Sequence, residues 1–116
     1  EQGQEFLAGP AKAGGAVIAV GDFNSAADGS TTATYADLTM SYFSDAWDPN
    51  EPGDTCCQNS TLTNPTSQLG SRIDLVLTHA PVRSLGAYVI GDMPFQAMPP
   101  FWPADHAGVV ATLRIH

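Results

Sequence analysis

The sequence predicts a small α/β domain, and three observations lead to that prediction. Residues 16–20 form an uninterrupted apolar run, typical of a strand buried on both faces at the centre of an α/β sandwich. Residues 34–47 carry apolar side chains at spacings of three and four, which is the period of a helix. Three later stretches, at residues 73–78, 85–90 and 109–115, have the composition or the alternation of strands.

Local signals predict the elements between these. A short helix is expected over residues 4–13, and Thr34 with Asp37 is expected to form a capping box at the start of the longer helix. Residues 56–70 are polar and are predicted to form a long ordered loop, which often carries function in a compact domain. A second loop, rich in proline and aromatic residues, is expected over residues 93–103.

Length and charge narrow the possible functions. The chain has 116 residues, is 43% hydrophobic and suits one folded domain, with no apolar run long enough to cross a bilayer. Its net charge of −8 leaves no visible basic patch, which weighs against tight non-specific DNA binding unless a metal ion or another segment supplies positive charge. The first five residues lack signal-peptide character, so we expect either a cytosolic protein or a signal encoded upstream.

Cys56 and Cys57 are the two cysteines of the chain, and they are adjacent. Neighbouring thiols do not easily face one metal ion, and a zinc site favours separated pairs. A vicinal disulfide in an oxidising compartment and two free thiols in a reducing one both remain open, with a slight preference for the disulfide.

Three segments carry residues suited to catalysis. In the first, Gly21 allows a sharp turn at the end of the predicted strand, and Asp22 and Asn24 follow it two residues apart. An aspartate can activate water and an asparagine amide can donate to a phosphoryl oxygen. The alternative, favoured for this segment taken alone, is an Asx-turn in which both side chains satisfy the local backbone.

The second and third segments offer an aspartate and a histidine. Asp74 lies within a predicted strand, so it needs a partner, which is either a cation such as Arg72 or a histidine that it orients. His106 follows Asp105, a hard oxygen donor suited to Mg²⁺, and precedes the last strand. The two other histidines, at positions 79 and 116, are expected to be ordinary surface residues.

Together these segments resemble the endonuclease/exonuclease/phosphatase superfamily, which includes DNase I, exonuclease III and the neutral sphingomyelinases. The matching sequences are GDFNS at 21–25, SRIDLVL at 71–77 and ADH at 104–106, in the order of the family and at its approximate spacing. The resemblance covers about residues 15–115, and the region from 45 to 74 looks like a secreted bacterial branch. One departure is Ala104, where the family usually has serine.

The resemblance implies half of a four-layered α/β sandwich of the DNase I-like type, with a mixed, mostly antiparallel sheet and flanking helices. Residues 1–116 would be the C-terminal portion of the domain, since nothing upstream of Asp22 matches the asparagine, metal-binding glutamate and second histidine of the family's N-terminal portion. Half a sandwich leaves apolar surface uncovered, so we expect a homodimer through that face or a remnant of a longer protein.

The resemblance also implies roles for individual residues. Asp22 would activate the attacking water, and Asn24 would help to hold it and contact a phosphate oxygen. His106, paired with Asp74, would stabilise charge on the phosphoryl group or assist proton transfer. Asp105 and Asp22 would bind Mg²⁺ or Mn²⁺.

The implied function is metal-dependent phosphodiester hydrolysis by a longer parent protein, whether nuclease, phosphatase or sphingomyelinase-like phosphodiesterase. The substrate is expected to be a nucleic acid, a phospholipid or a small phosphate ester. Phe101 and Trp102 would either line the substrate site or belong to the core, with the core preferred. The alternative function is a catalytically incompetent fragment or binding module of the same fold, and we expect the isolated chain to be inactive. A serine hydrolase is disfavoured because no G-x-S-x-G sequence occurs.

Overall fold

The computed structural model describes residues 4, 5, 8, 9, 12 and 14–116. Half of the residues of the helix predicted over 4–13 therefore lie outside the described residues. In chain order the elements are β1 (Val17–Asp22), α1 (Thr34–Ser41), β2 (Ser44–Asp45), β3 (Asp74–His79), β4 (Val82–Ile90), β5 (Gln96–Ala97), β6 (Pro100–Phe101) and β7 (Gly108–Ile115).

The first sheet places β3 between β1 and β2, and both pairings are antiparallel. Alternate side chains of β3 turn toward α1 and form the core, so the hydrophobic pattern of β3 determines the register. The buried core cluster consists of Leu38, Phe43, Leu75 and Leu77. In this register Asp22, at the end of β1, lies opposite Asp74, at the start of β3.

The strand prediction for residues 16–20 is confirmed, but burial on both of its faces is not. Val17 and Ala19 pack against the core, whereas the side chains of Ile18 and Val20 are 39% and 67% exposed. The apolar run therefore places side chains on both faces of the sheet. One of these faces packs against the core, and the other is not covered by any of the residues that the structure describes.

The helix α1 is shorter than predicted, because it ends at Ser41 and not at residue 47. The N–H groups of Tyr42 and Phe43 both donate to the carbonyl oxygen of Leu38 and close the last turn. The chain then pairs with β3 as β2, and this tertiary pairing overrides the helical period of the sequence. Phe43 and Trp47 are still buried, but they reach the core from outside the helix.

The predicted capping box is also wrong. The N-cap residue is Ala33, which makes no side-chain hydrogen bond. The hydroxyl oxygen of Ser25, which is fully buried, instead accepts the N–H of Tyr35 at 3.0 Å. The loop that follows β1 thus provides a hydrogen-bond acceptor for a free N–H group in the first turn of α1, and this bond holds the loop in place.

The strands β4 and β7 form a second, antiparallel sheet, which confirms the two last strand predictions. A register shift between Ser84 and Gly86 interrupts their pairing. The predicted loop over residues 93–103 differs from expectation, because it contains the short antiparallel hairpin β5–β6. Among the described residues, no helix has the length and apolar character that a membrane crossing requires.

Candidate active site

The site is centred on two carboxylates from neighbouring strands. Asp22 and Asp74 are directly opposite in the antiparallel pair, and like charges in such positions repel each other. A ring nitrogen of His106 and a carboxylate oxygen from each aspartate all lie within 4.8 Å of one another. The fold therefore brings together one predicted residue from each of the three segments, and the pair of carboxylates favours a positively charged group between them.

The turn after β1 aims Asp22 and Asn24. Gly21 has a φ of +144°, and a Cβ there would meet nothing within 4 Å, so the backbone conformation explains the glycine. Asn24 has a φ of 48°, in the left-handed region that asparagine tolerates. Its N–H donates to Oδ1 of Asp22 at 2.7 Å, which is the Asx-turn considered from sequence. This bond uses one carboxylate oxygen, and both side chains remain exposed.

A buried threonine supports the backbone around Asp74. Thr55 is fully buried, and its hydroxyl oxygen accepts the N–H groups of Ile73 and Asp74 at 3.2 and 3.1 Å. The N–H of Phe23, beside Asp22, donates to the carbonyl oxygen of Ile73 at 2.9 Å. These bonds join the two aspartate segments to the start of the long loop.

Asp74 contacts the histidine that sequence analysis paired with it. Nδ1 of His106 lies 2.7 Å from Oδ2 of Asp74, and the two side chains are 29% and 22% exposed. A carboxylate in this position accepts the Nδ1 proton, so Nε2 is the ring nitrogen available for other contacts. The backbone of the histidine segment is held as well, since the N–H of Ala107 donates to the carbonyl oxygen of Thr55 at 2.8 Å.

The surroundings of His106 favour its charged form. The hydrogen bond to Asp74 raises the pKa of the imidazole above its ordinary value, partial burial opposes this, and the charges of Asp74, Asp105 and Asp22 add to the rise. Asp105 itself is exposed and lies outside the cluster of Asp22, Asp74 and His106. Its carbonyl oxygen accepts the N–H of Gln58 at 2.8 Å, and its role as a metal ligand stays a prediction.

Arg72 does not pair with Asp74, which settles one alternative left open by the sequence. Its guanidinium lies 2.7 Å from Oδ2 of Asp45 and is within 6.0 Å of the ring of Tyr35 and 5.7 Å of the ring of Trp47. The hydroxyl of Tyr35 donates to the same carboxylate oxygen at 2.8 Å. Asp74 is thereby left to His106.

The two aromatic candidates for substrate contact differ in burial. Trp102 is only 4% exposed, and its Nε1–H donates to the carbonyl oxygen of Asn64 at 2.8 Å, which places it in the core. Phe101 is 40% exposed on β6 and packs edge to face against Phe95, with ring centroids 5.1 Å apart. Phe101 alone of the two keeps an accessible ring.

His79 is not the ordinary surface residue expected from sequence. Its ring stacks on that of Tyr42 at a centroid distance of 3.7 Å, and its Nδ1 lies 2.8 Å from the carbonyl oxygen of Tyr42. It packs the end of β3 against the end of α1, away from Asp74 at the opposite end of the strand. His116 is exposed, as expected.

The predicted loop over residues 56–70 contains no strand longer than a single bridge, and it lies against the site. Cys56 and Cys57 form a vicinal disulfide, the slightly preferred alternative. Sγ of Cys57 lies 3.6 Å from Nε2 of His106. The places of Cys57 and Thr55 in the site were not predicted from the sequence, where the only signal was the length of the polar loop over residues 56–70.

A family model described as the endonuclease/exonuclease/phosphatase family matches residues 1–106. No curated protein matches the chain significantly. The fold is similar to that of the solved structure named mannosyl-6-phosphatase Bt3783 of Bacteroides thetaiotaomicron VPI-5482, with a TM-score of 0.64 and 18% identity. That match covers 98% of this chain and 43% of the other.

A second solved structure, an endonuclease/exonuclease/phosphatase family protein from Leptotrichia buccalis C-1013-b, has a TM-score of 0.63 and 18% identity. It is matched over 97% of this chain and 41% of its own length. The chain thus spans less than half the length of both structures. The antiparallel sheets with few helices are part of a DNase I-like fold, as the sequence predicted.

Proposed function

The chain belongs to the endonuclease/exonuclease/phosphatase family, and on this premise we propose that a longer protein containing it is a metal-dependent phosphodiester hydrolase. The observation that supports the proposal is the convergence of Asp22, Asp74 and His106 within 4.8 Å at one end of the first sheet. Three polar groups from three separate segments have no structural need to meet there, and their charges suit the activation of water next to a phosphoryl group.

His106 is proposed to act through Nε2. Because Asp74 holds Nδ1 at 2.7 Å, the ring orientation is set and the imidazolium is favoured. An imidazolium can donate the Nε2 proton to a phosphoryl oxygen, where negative charge builds up as water attacks. Asp74 is therefore a positioning residue for His106.

Asp22 and Asn24 are proposed to handle the water and the phosphate. Oδ1 of Asp22 is occupied by the Asx-turn, which orients the carboxylate for its other oxygen to accept a proton from water. The exposed amide of Asn24 can donate to a phosphoryl oxygen.

The donor set also fits a hard divalent cation. Asp22 faces a second carboxylate across the strand pair, and Asp105 adds an exposed carboxylate beside His106. Mg²⁺ and Mn²⁺ favour carboxylate oxygens. We propose Asp22 and Asp105 as ligands of the ion, for which the carboxylate of Asp105 would have to approach the cluster that it lies outside. The ion would supply a positive charge that polarises a phosphoryl oxygen.

The substrate class follows from charge and access. The chain carries four Lys and Arg residues against twelve Asp and Glu, of which Arg72 is already paired. These charges alone offer little attraction to a polyanion such as a nucleic acid, so we propose a small phosphate ester or a phospholipid headgroup as the substrate, unless the bound ion or the rest of the longer protein supplies positive charge. Phe101 is proposed as the apolar contact, whereas the burial of Trp102 excludes its ring from such a role.

The test is hydrolysis of bis-p-nitrophenyl phosphate by the longer protein with Mg²⁺ or Mn²⁺. We expect Asp22→Ala and His106→Ala each to lower kcat/KM by roughly 10²- to 10⁴-fold, because each removes a proton-transfer or charge-stabilising group. Asp37→Asn, which changes an exposed carboxylate on α1, should leave kcat/KM unaltered. Unchanged turnover in both site variants would refute the proposal.

A second reading concerns the 116 residues by themselves, which we propose are inactive. The observation in its favour is the exposed apolar side of β1, at Ile18 and Val20, together with the short span of the chain relative to the two solved structures. We expect no metal-dependent turnover by this chain, and light scattering should show a homodimer that covers the apolar face. A stable monomer would count against the dimer, and turnover would count against this reading.

A further inference from the structure

The disulfide between Cys56 and Cys57 lies against the one ring nitrogen of His106 that the proposed reaction needs. Sγ of Cys57 is 3.6 Å from Nε2, while Nδ1 on the opposite side of the ring contacts Asp74. The sulfur and nitrogen atoms of Cys56, Cys57 and His106 all lie within 4.8 Å of one another. Both cysteines are half-buried, so a small reagent can reach them.

The backbone keeps this contact in place. Cys56 forms bridges to Ser71 and to His106, so its segment lies between the strand that carries Asp74 and the segment that carries the histidine. The N–H of Gly70 donates to the carbonyl oxygen of Cys56 at 2.8 Å. These bonds use main-chain atoms, so reduction of the sulfurs does not by itself remove any of their donors or acceptors.

The oxidation state of Cys57 determines which chemical group contacts Nε2 of His106. A disulfide sulfur carries neither a hydrogen nor a charge, so it is a poor partner for the nitrogen in either protonation state of the ring. A reduced Cys57 offers a hydrogen to the bare nitrogen as a thiol, or a negative charge to the protonated nitrogen as a thiolate. Either contact would compete with a phosphoryl oxygen for Nε2.

We propose that the Cys56–Cys57 pair is a redox-sensitive modification site that acts on the reaction through Nε2 of His106. The reacting partner is a dithiol reductant. Its two thiols give two electrons and two protons to the disulfide, the S–S bond breaks, two cysteine thiols form, and the reductant leaves as its own disulfide. The oxidised pair leaves Nε2 free for substrate, and the reduced pair engages it.

The first readout is independent of turnover. In the ¹⁵N-labelled 116-residue chain, reduction by dithiothreitol should shift the Nε2 resonance of His106 and leave those of His79 and His116 unmoved. An unshifted His106 resonance in fully reduced protein would overturn the proposal. The amide spectrum shows whether the fold is retained, and the reduced wild type decides the question even if a variant fails to fold.

Two single variants distinguish a direct contact between the Cys57 thiol and Nε2 of His106 from an indirect effect, in which the disulfide only stiffens the backbone near the histidine. Cys56→Ala leaves a free thiol at Cys57, beside Nε2, whereas Cys57→Ala leaves a free thiol at Cys56, whose sulfur is within 4.8 Å of a ring nitrogen of His106 but is not the atom at the 3.6 Å contact. Neither has the disulfide. We expect the His106 resonance of Cys56→Ala to match that of reduced wild type and the resonance of Cys57→Ala to match that of oxidised wild type. Identical spectra of the two variants would mean that the disulfide only stiffens the backbone near His106, and would refute the proposal.

The second readout rests on the proposed function. In the longer protein, reduction should lower kcat about tenfold while KM changes little, since one ring nitrogen of the proton-transfer group is engaged. Cys57→Ala should be insensitive to reductant. A shifted resonance without any phosphodiester turnover in oxidised protein would disprove the proposed function but not the contact. Active protein with equal kcat in both redox states would disprove the redox effect alone.

Discussion

Two ion pairs of the same length lie on either side of Ile73 and differ in their surroundings. Arg72 and Asp74 each place a charged atom 2.7 Å from a partner, Asp45 in the first pair and His106 in the second. The Arg72–Asp45 pair is 13% and 11% exposed and is flanked by aromatic rings. The Asp74–His106 pair is about twice as exposed and lies at the end of the sheet.

The difference shows why distance alone does not identify a catalytic pair. The carboxylate of Asp45 also accepts the hydroxyl of Tyr35 and, through Oδ1, the N–H of Trp47, so its bonding capacity is used by the protein. In the other pair the histidine has a second nitrogen, Nε2, that lies 3.6 Å from Sγ of Cys57 in the disulfide. An ion pair can take part in chemistry when one of its partners keeps a polar atom available for other contacts. When the polar atoms are already hydrogen-bonded within the protein, the pair contributes to stability instead.

The largest expected effect that separates the pairs is on turnover. Asp74→Asn keeps the shape of the side chain but removes the charge that orients His106. We expect kcat/KM of the longer protein to fall about 10²-fold. The alkaline limb of its pH profile, where the imidazolium of His106 loses its proton, should move to lower pH, because the hydrogen bond to Asp74 is the first cause of the raised pKa of His106. A normal pH profile would show that Asp74 has only a structural role.

The second effect is on stability. Arg72→Met removes one partner of the buried pair, and we expect the free energy of unfolding to fall by about 2–3 kcal/mol, with the donors that remain on Asp45 limiting the loss. Denaturation in guanidinium chloride measures it. Arg83→Met, the same exchange at an exposed site opposite Arg114, should change stability by less than about 0.5 kcal/mol. Equal losses would contradict the assignment of the first pair as structural.

The smallest effect is the pH dependence of stability. The pKa of His106 is raised in the folded chain, so its contribution is complete below the unfolded value near 6.5 and is lost as pH rises through the folded pKa. The difference in unfolding free energy between wild type and His106→Gln should therefore fall as pH increases above 6.5. A difference that stays constant or grows with pH would contradict the Asp74 contact.

The residues of the site were predictable because strand ends and short polar segments mark them. Asp22, Asp74 and His106 follow, begin or precede stretches that an apolar run or a period-two alternation identifies as strands, and the family resemblance orders them. The start of α1 at Thr34 was predicted, but its C-terminal end was not predictable in this way. The apolar period runs to Trp47, and only the pairing of β2 with β3 shows where the helix stops.

The sequence by itself determined the four long strands β1, β3, β4 and β7, the polar segments at their ends and the disulfide alternative, since all of these depend on local composition and period. The tertiary structure decided the short strands and most of the partners that meet. Arg72 is two residues from Asp74, yet it pairs with Asp45, and Cys57 is 49 residues from the histidine beside it. Such contacts depend on strand register and loop path, which bring distant residues together and leave no periodic signal in the chain.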